Sequence, residues 1–165
     1  MSPSKDREAA ELFAVLYPGL AGWCRRLVDD DGTAHEVASE AFARLWLRWS
    51  SVEEPRGFLY VTAANLVRDH WRRTDRERRA LRRAGTEAAL ARQQEGAETA
   101  VPVRLVVQSM PERLRTVVLL YNFADLPVRD IASLTKRKEG TIRGDLHAAR
   151  EYLRAVLGER CDHTR

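Results

Sequence analysis

The chain has 165 residues, 32% of them charged, only fifteen Gly and Pro together, and a formal net charge of +4. That length suits one domain or two small ones, and the composition is that of water-exposed helices. No run of eighteen apolar residues and no hydrophobic N-terminal segment occurs, so neither a membrane span nor a secretion signal is expected and the expected compartment is the cytoplasm. Cys24 and Cys161 lie far apart and form no CxxC, which predicts reduced thiols.

Residues 1–6 are expected to be a loose tail. From Arg7 to Val28 apolar residues recur at Leu12, Leu16, Leu20, Trp23 and Leu27, spaced four, four, three and four. This spacing predicts a helix face, kinked or restarted at Pro18. After a turn at Asp29–Gly32, Thr33 with Glu36 three residues later predicts a capping box opening a second helix. Val37, Ala41, Leu45 and Trp49 would face inward with Phe42 and Trp46 flanking them.

Pro55 suits the first position of a third helix running to Arg73 or beyond, with Leu59, Ala63, Leu66 and His70 on one side. Phe58, Tyr60, Trp71, Arg72 and Arg73 add aromatic rings and cations to it. Single-stranded DNA binding needs that mixture, because Arg neutralises phosphate and flat rings stack on unpaired bases. The basic charge is concentrated: from Leu66 to Arg83 there are eight Arg against three acidic residues, which points to a polyanionic partner.

Residues 84–103 lose apolar periodicity and read as a linker. Pro111 is expected to start a helix with Leu114, Val117, Val118 and Tyr121 facing inward. The stretch from Leu126 to Leu153 reads as two helices joined by a tight turn. Ile131, Ala132 and Leu134 give the first an inward face; Ile142, Leu146, Ala149 and Leu153 give the second an apolar stripe. Thr141, Arg143, Gly144, His147 and Arg150 are left on the outside of that second helix. A buried stripe behind a small, basic outer face suits a helix lying in a DNA major groove, although a plain helical hairpin has the same stripe. Lys136 and Arg137 stand where such units often carry Gly and an apolar residue, and Asp145 is expected to put a carboxylate on the face that meets phosphates.

The four histidines offer no pair at metal-ligand spacing on one helix face, and no nucleophile–base pairing or phosphate-cradling Gly loop stands out. A binding protein without metal or cofactor is therefore expected, not an enzyme.

Taken together, the segments resemble the extracytoplasmic-function sigma factors, the smallest members of the sigma-70 family of bacterial transcription initiation factors. AHEVASEAFARLW and PRGFLYVTAANLVRDHWRR resemble the family's region 2; MPERLRTVVLLYNFADLPVRDIASL and EGTIRGDLHAAR resemble region 4. The resemblance implies an all-α fold of two small helical domains, region 2 over residues 7–83 and region 4 over residues 104–158, joined by the flexible linker 84–103. It implies RNA polymerase core as partner, through its β′ and β subunits, with Glu36, Ser39 and Glu40 as contacts; the family usually has Gln at the place of Ser39. It implies promoter DNA as the second partner. The −10 element would be bound by Arg56, Phe58, Tyr60, Asn65, Arg68, Trp71, Arg72 and Arg73, with Asn65 in the wall of a pocket for an extruded base. The −35 element would be read by Thr141, Arg143, Gly144 and His147, with Arg137, Lys138 and Arg150 on phosphates. An anti-sigma factor is the further partner it suggests. The alternative from a different class is a stand-alone helix-turn-helix regulator that dimerises through its N-terminal half.

Overall fold

The computed structural model describes residues 3–28, 30–85 and 103–161. The first three helices are α1 (Pro3–Leu27), α2 (Asp31–Leu47) and α3 (Pro55–Arg83), with a single 3-10 turn at Trp49–Ser51 between the last two. Among the described residues four more follow: α4 (Val103–Ser109), α5 (Glu112–Val118), α6 (Val128–Thr135) and α7 (Glu139–Cys161), with one π turn at Leu119–Phe123 after α5. The described residues are all-α, as the composition and periodicity predict. The linker expected at 84–103 falls almost wholly outside the described residues.

Helix α1 is longer than expected, starting at Pro3 and running through Pro18 without a restart. Pro18 removes one backbone donor, but the turns after it are anchored by Leu20, Ala21, Trp23, Cys24 and Leu27, all buried. Helix α2 corrects the capping expectation. Its N-cap is Asp30, not Thr33. The Asp30 carboxylate accepts from the Thr33 backbone N–H at 2.6 Å and from the Thr33 hydroxyl at 2.8 Å. These bonds hold the Asp30 carboxyl below its usual range. Thr33 thus fills the third helical position, and the acidic side chain three residues earlier does the capping.

Trp71 anchors α3 to α1: its indole N–H donates to the Leu27 carbonyl at 2.9 Å. Leu59, Ala63, Ala64 and Val67 bury the rest of that face. In the second half, Leu114, Val117 and Val118 are inward as expected, but Tyr121 is exposed. The π turn is the reason. The Ala124 N–H reaches back five residues to the Leu119 carbonyl at 3.1 Å, so one extra residue enters the turn. The inward register passes to Leu119 and Leu120, and Tyr121 rotates out.

The two halves touch. The buried core runs without interruption from Leu20, Leu45 and Leu59 to Leu120, Ile131 and Ile142. Leu134 of α6 lies against the first turn of α3, where a Cβ on Gly57 would come within 2.5 Å of Leu134 Cδ1. A Cβ there would also meet the Glu54 carboxylate, so both side chains would have to move aside.

Candidate nucleic-acid interface

Helices α6 and α7 form the tight pair that the sequence predicts. Ile131 and Ala132 of α6 and Ile142 and Ala149 of α7 are buried, with Leu134, Leu146 and Leu153 packed against them. Thr141, Arg143, Gly144, His147 and Arg150 are all exposed on the opposite side of α7. Lys138 is exposed at the start of α7, and Arg143 donates to the Glu139 carboxylate at 3.0 Å, one turn back. This exposed strip carries small and basic side chains, the character that a major-groove helix needs.

The turn between the two helices is made without glycine. Lys136 ends α6 in the left-handed region, at φ 55° and ψ 41°, a conformation that costs a residue with a Cβ about 1 kcal/mol. Asp145 and Arg137 offset it. Asp145 does not face outward as expected: it is 5% exposed and forms an ion pair with Arg137. Asp145 follows Ile142 by three residues, so helical spacing carries it round to the inner face. The Arg113 guanidinium stands 3.9 Å from its other oxygen. Arg137, expected on phosphate, is therefore committed to the inside of the motif.

On α3, residues 58, 61, 65, 68 and 72 follow one another by three, four, three and four, so Phe58, Val61, Asn65, Arg68 and Arg72 share one face. Asn65 is half-buried there. Tyr60 lies on another side of α3, half-buried and edge-on to Trp23 at 5.5 Å with the Arg56 guanidinium 5.4 Å over its ring. Burial raises the Tyr60 phenol above its usual range, so its hydroxyl stays protonated. Trp71 departs from expectation. At 6% exposure its ring is core, with the Arg115 guanidinium 5.4 Å above it, and it cannot stack on a base from there. An aromatic in a basic stretch reads alike in sequence whether it is buried or exposed.

Glu36, Ser39 and Glu40 are exposed together on α2. Glu40 accepts from Arg44 at 2.7 Å. Glu36 and Glu40 line a groove with Asp69, His70, Arg73 and Arg76 of α3, so this acidic patch borders the basic helix. His70 is held below its usual pKa, first by burial and then by the Arg73 charge. The sequence reading missed the neighbours of this patch. Tyr17 shares hydrogen bonds with His35 Nδ1 at 2.9 Å and Ser39 Oγ at 3.3 Å, and its ring stacks on Phe13 at 4.5 Å. Phe13 and Tyr17 are four residues apart on α1, a spacing that could have flagged them. Trp46 and Leu47 extend the exposed apolar surface at 41% and 82% exposure.

Two family descriptions match the chain in order: Sigma-70 region 2 over residues 12–77 and Sigma-70 region 4 over residues 101–153. The chain belongs to the sigma-70 family. The relatives that it matches include an extracytoplasmic-function factor. It is 28% identical to the ECF RNA polymerase sigma factor SigW of Bacillus subtilis, over 92% of this chain and 90% of that protein. It is also 28% identical to the RNA polymerase sigma-H factor of Pseudomonas aeruginosa, over 92% and 88%. Two solved structures share the fold. CnrH, in complex with the cytosolic domain of CnrY, superposes with a TM-score of 0.64 at 19% identity, covering 93% of this chain and 90% of that one. The sigma factor RpoE, in complex with the anti-sigma factor NepR from Bartonella quintana, gives 0.60 at 16% identity, covering 92% and 98%. The chain is thus a sigma factor that directs transcription initiation at promoters. No helix among the described residues is long and apolar enough to cross a membrane.

Proposed function

We propose that this sigma factor divides its work between residues 7–83 and residues 104–158, with 84–103 between them. In the first unit, Glu36, Ser39 and Glu40 of α2 dock on the β′ subunit of core polymerase, the two Glu carboxylates complementing basic residues on the partner. The adjoining Tyr17, Phe13 and Trp46 supply apolar area to that contact. Helix α3 then captures the −10 element. Unstacking a base costs a few kcal/mol, and a pocket that stacks and hydrogen-bonds the extruded base repays it.

Asn65 has a donor and an acceptor on one amide and suits a base edge. Phe58 and Tyr60 supply rings, and Arg56, Arg68, Arg72 and Arg73 supply charge for phosphates. Trp71 supports α3 from beneath. In the second unit, Thr141, Arg143, Gly144 and His147 read the −35 element in the major groove while Lys138 and Arg150 hold phosphates. Arg137 braces the turn. The protein acts by binding in the cytoplasm, as a polymerase subunit and not as an enzyme. An anti-sigma factor is a further partner, of the kind that the complex of RpoE contains.

The observation that carries this reading is the single face of α3 on which Phe58, Asn65, Arg68 and Arg72 align, next to the acidic patch of α2. Transcription by purified core polymerase on genomic DNA, mapped at the 5′ ends of the products, tests it. Defined start sites that appear only when the protein is added are the expected result. Tight, specific duplex binding by the protein alone, with no change in transcription by core, would favour a stand-alone regulator instead.

A further inference from the structure

Glu112 lies on the first turn of α5, 40 and 44 residues from the two arginines that it meets. Its Oε1 accepts from Arg68 Nη1 at 3.1 Å, and its Oε2 accepts from Arg72 Nη2. One carboxylate thus divides its oxygens between guanidinium groups one helical turn apart on α3. A backbone phosphate offers the same oxygens to the same donors.

Three other contacts surround this one. Arg115 lies over Trp71, Arg56 Nη2 donates to the Ala124 carbonyl at 2.9 Å, and Leu134 rests on Gly57. The helix-turn-helix half therefore touches α3 from its first turn to Arg72, and at Arg68 and Arg72 it covers part of the face read above as the −10 strand site.

We propose that Glu112 is an internal phosphate substitute, and that it latches the −35-reading half onto the −10-reading helix until the promoter is engaged. The proposal rests on the reading of α3 as a single-strand site. Promoter geometry requires release: elements about 25 base pairs apart at 3.4 Å per pair are separated by roughly 85 Å, and helices in direct contact cannot serve both. The strength also fits a switch. Exposed ion pairs are individually weak, so Glu112 biases a closed state that the apolar contacts between the halves also favour, and binding to polymerase can open it. A chain that is mostly closed binds DNA less tightly in proportion to its open fraction.

The test uses the full chain. Single-strand affinity is read by anisotropy of a fluorescein-labelled DNA 12-mer of mixed sequence. Closure is read by the spin-label distance between Glu53→Cys and Arg129→Cys in a Cys161→Ser background. Glu112→Gln removes the charge, and Gly57→Ala crowds Leu134 and the capping Glu54 carboxylate while leaving Glu112, Arg68 and Arg72 in place. Both should lengthen the distance and tighten DNA binding by about three- to tenfold, with helix content by circular dichroism retained. Glu112→Arg should open the chain, and adding Arg68→Glu with Arg72→Glu should reclose it.

An unchanged distance in both Glu112→Gln and Gly57→Ala overturns the latch. Opening without tighter binding overturns the competition with phosphate. Arg68→Gln with Arg72→Gln in the Gly57→Ala background tests the reading of α3 by itself. Undiminished DNA binding there removes these arginines from the strand site, and the competition with it, even where the chain is seen to open.

Discussion

Arg137 and Asp145 form an ion pair that ties the turn of the helix-turn-helix to the inner face of its second helix. The pair spans the left-handed residue Lys136 and the start of α7, and Asp145 is nearly closed off from solvent. The outward strip from Thr141 to Arg150 therefore takes its orientation partly from a charge pair behind it.

Removing one partner leaves the other uncompensated. Asp145→Ala should cost about 2–3 kcal/mol, less than the loss of a fully buried pair because Arg137 keeps some contact with water. Urea unfolding checks this. Asp145→Asn, which keeps the shape and can still accept a hydrogen bond, should cost less.

The same pair separates Arg137 from the DNA-facing arginines. Arg143→Ala should lower discrimination at the −35 element by about 1–3 kcal/mol. Arg150→Ala should weaken all duplexes alike and reduce the salt slope of binding by about one. Arg137→Ala should destabilise the fold and leave that slope unchanged. Anisotropy titrations on specific and scrambled duplexes over a salt series distinguish the three.

The acidic patch of α2 gives a third expectation. Glu36→Arg combined with Glu40→Arg should abolish core polymerase binding in a pull-down while circular dichroism stays the same, since both side chains are exposed. Unaltered binding would move the polymerase contact off α2.

Cys24 is buried, and its thiol is pushed up to about 12, chiefly because burial penalises the thiolate. At pH 8 it should resist iodoacetamide in the folded protein and react fully in 6 M guanidinium, as read by mass spectrometry of the Cys24 peptide. Fast labelling of the native chain would show that α1 opens readily.

Much of this was legible from spacing. The stripe Ile142, Leu146, Ala149 and Leu153 has the helical period, and that period alone leaves Thr141, Arg143 and His147 outside. Spacing was less decisive where two residues could serve one purpose, as with Asp30 and Thr33 at the start of α2. It failed at Tyr121, because a π turn adds a residue that no apolar pattern announces. Asp145 obeyed the helical period, but its charge suggested the outside; the guanidinium groups of Arg137 and Arg113 account for its place within. Trp71 shows that residue type does not report burial. The pairing of Glu112 with Arg68 and Arg72 joins charges some forty residues apart, and nothing local in either segment encodes it.

The claim at the centre of the account is that α3 opens the promoter by capturing a base, and Asn65 tests it most directly. Asn65→Asp keeps the shape, removes the amide donor and places a negative charge near phosphates. Permanganate footprinting of the polymerase bound to a duplex promoter reads strand opening through thymine reactivity. The account predicts normal core binding and closed-complex formation, unreactive thymines around the −10 element, and activity largely restored on a pre-melted bubble template where unstacking has already occurred. Normal thymine reactivity on duplex DNA with Asn65→Asp would contradict it.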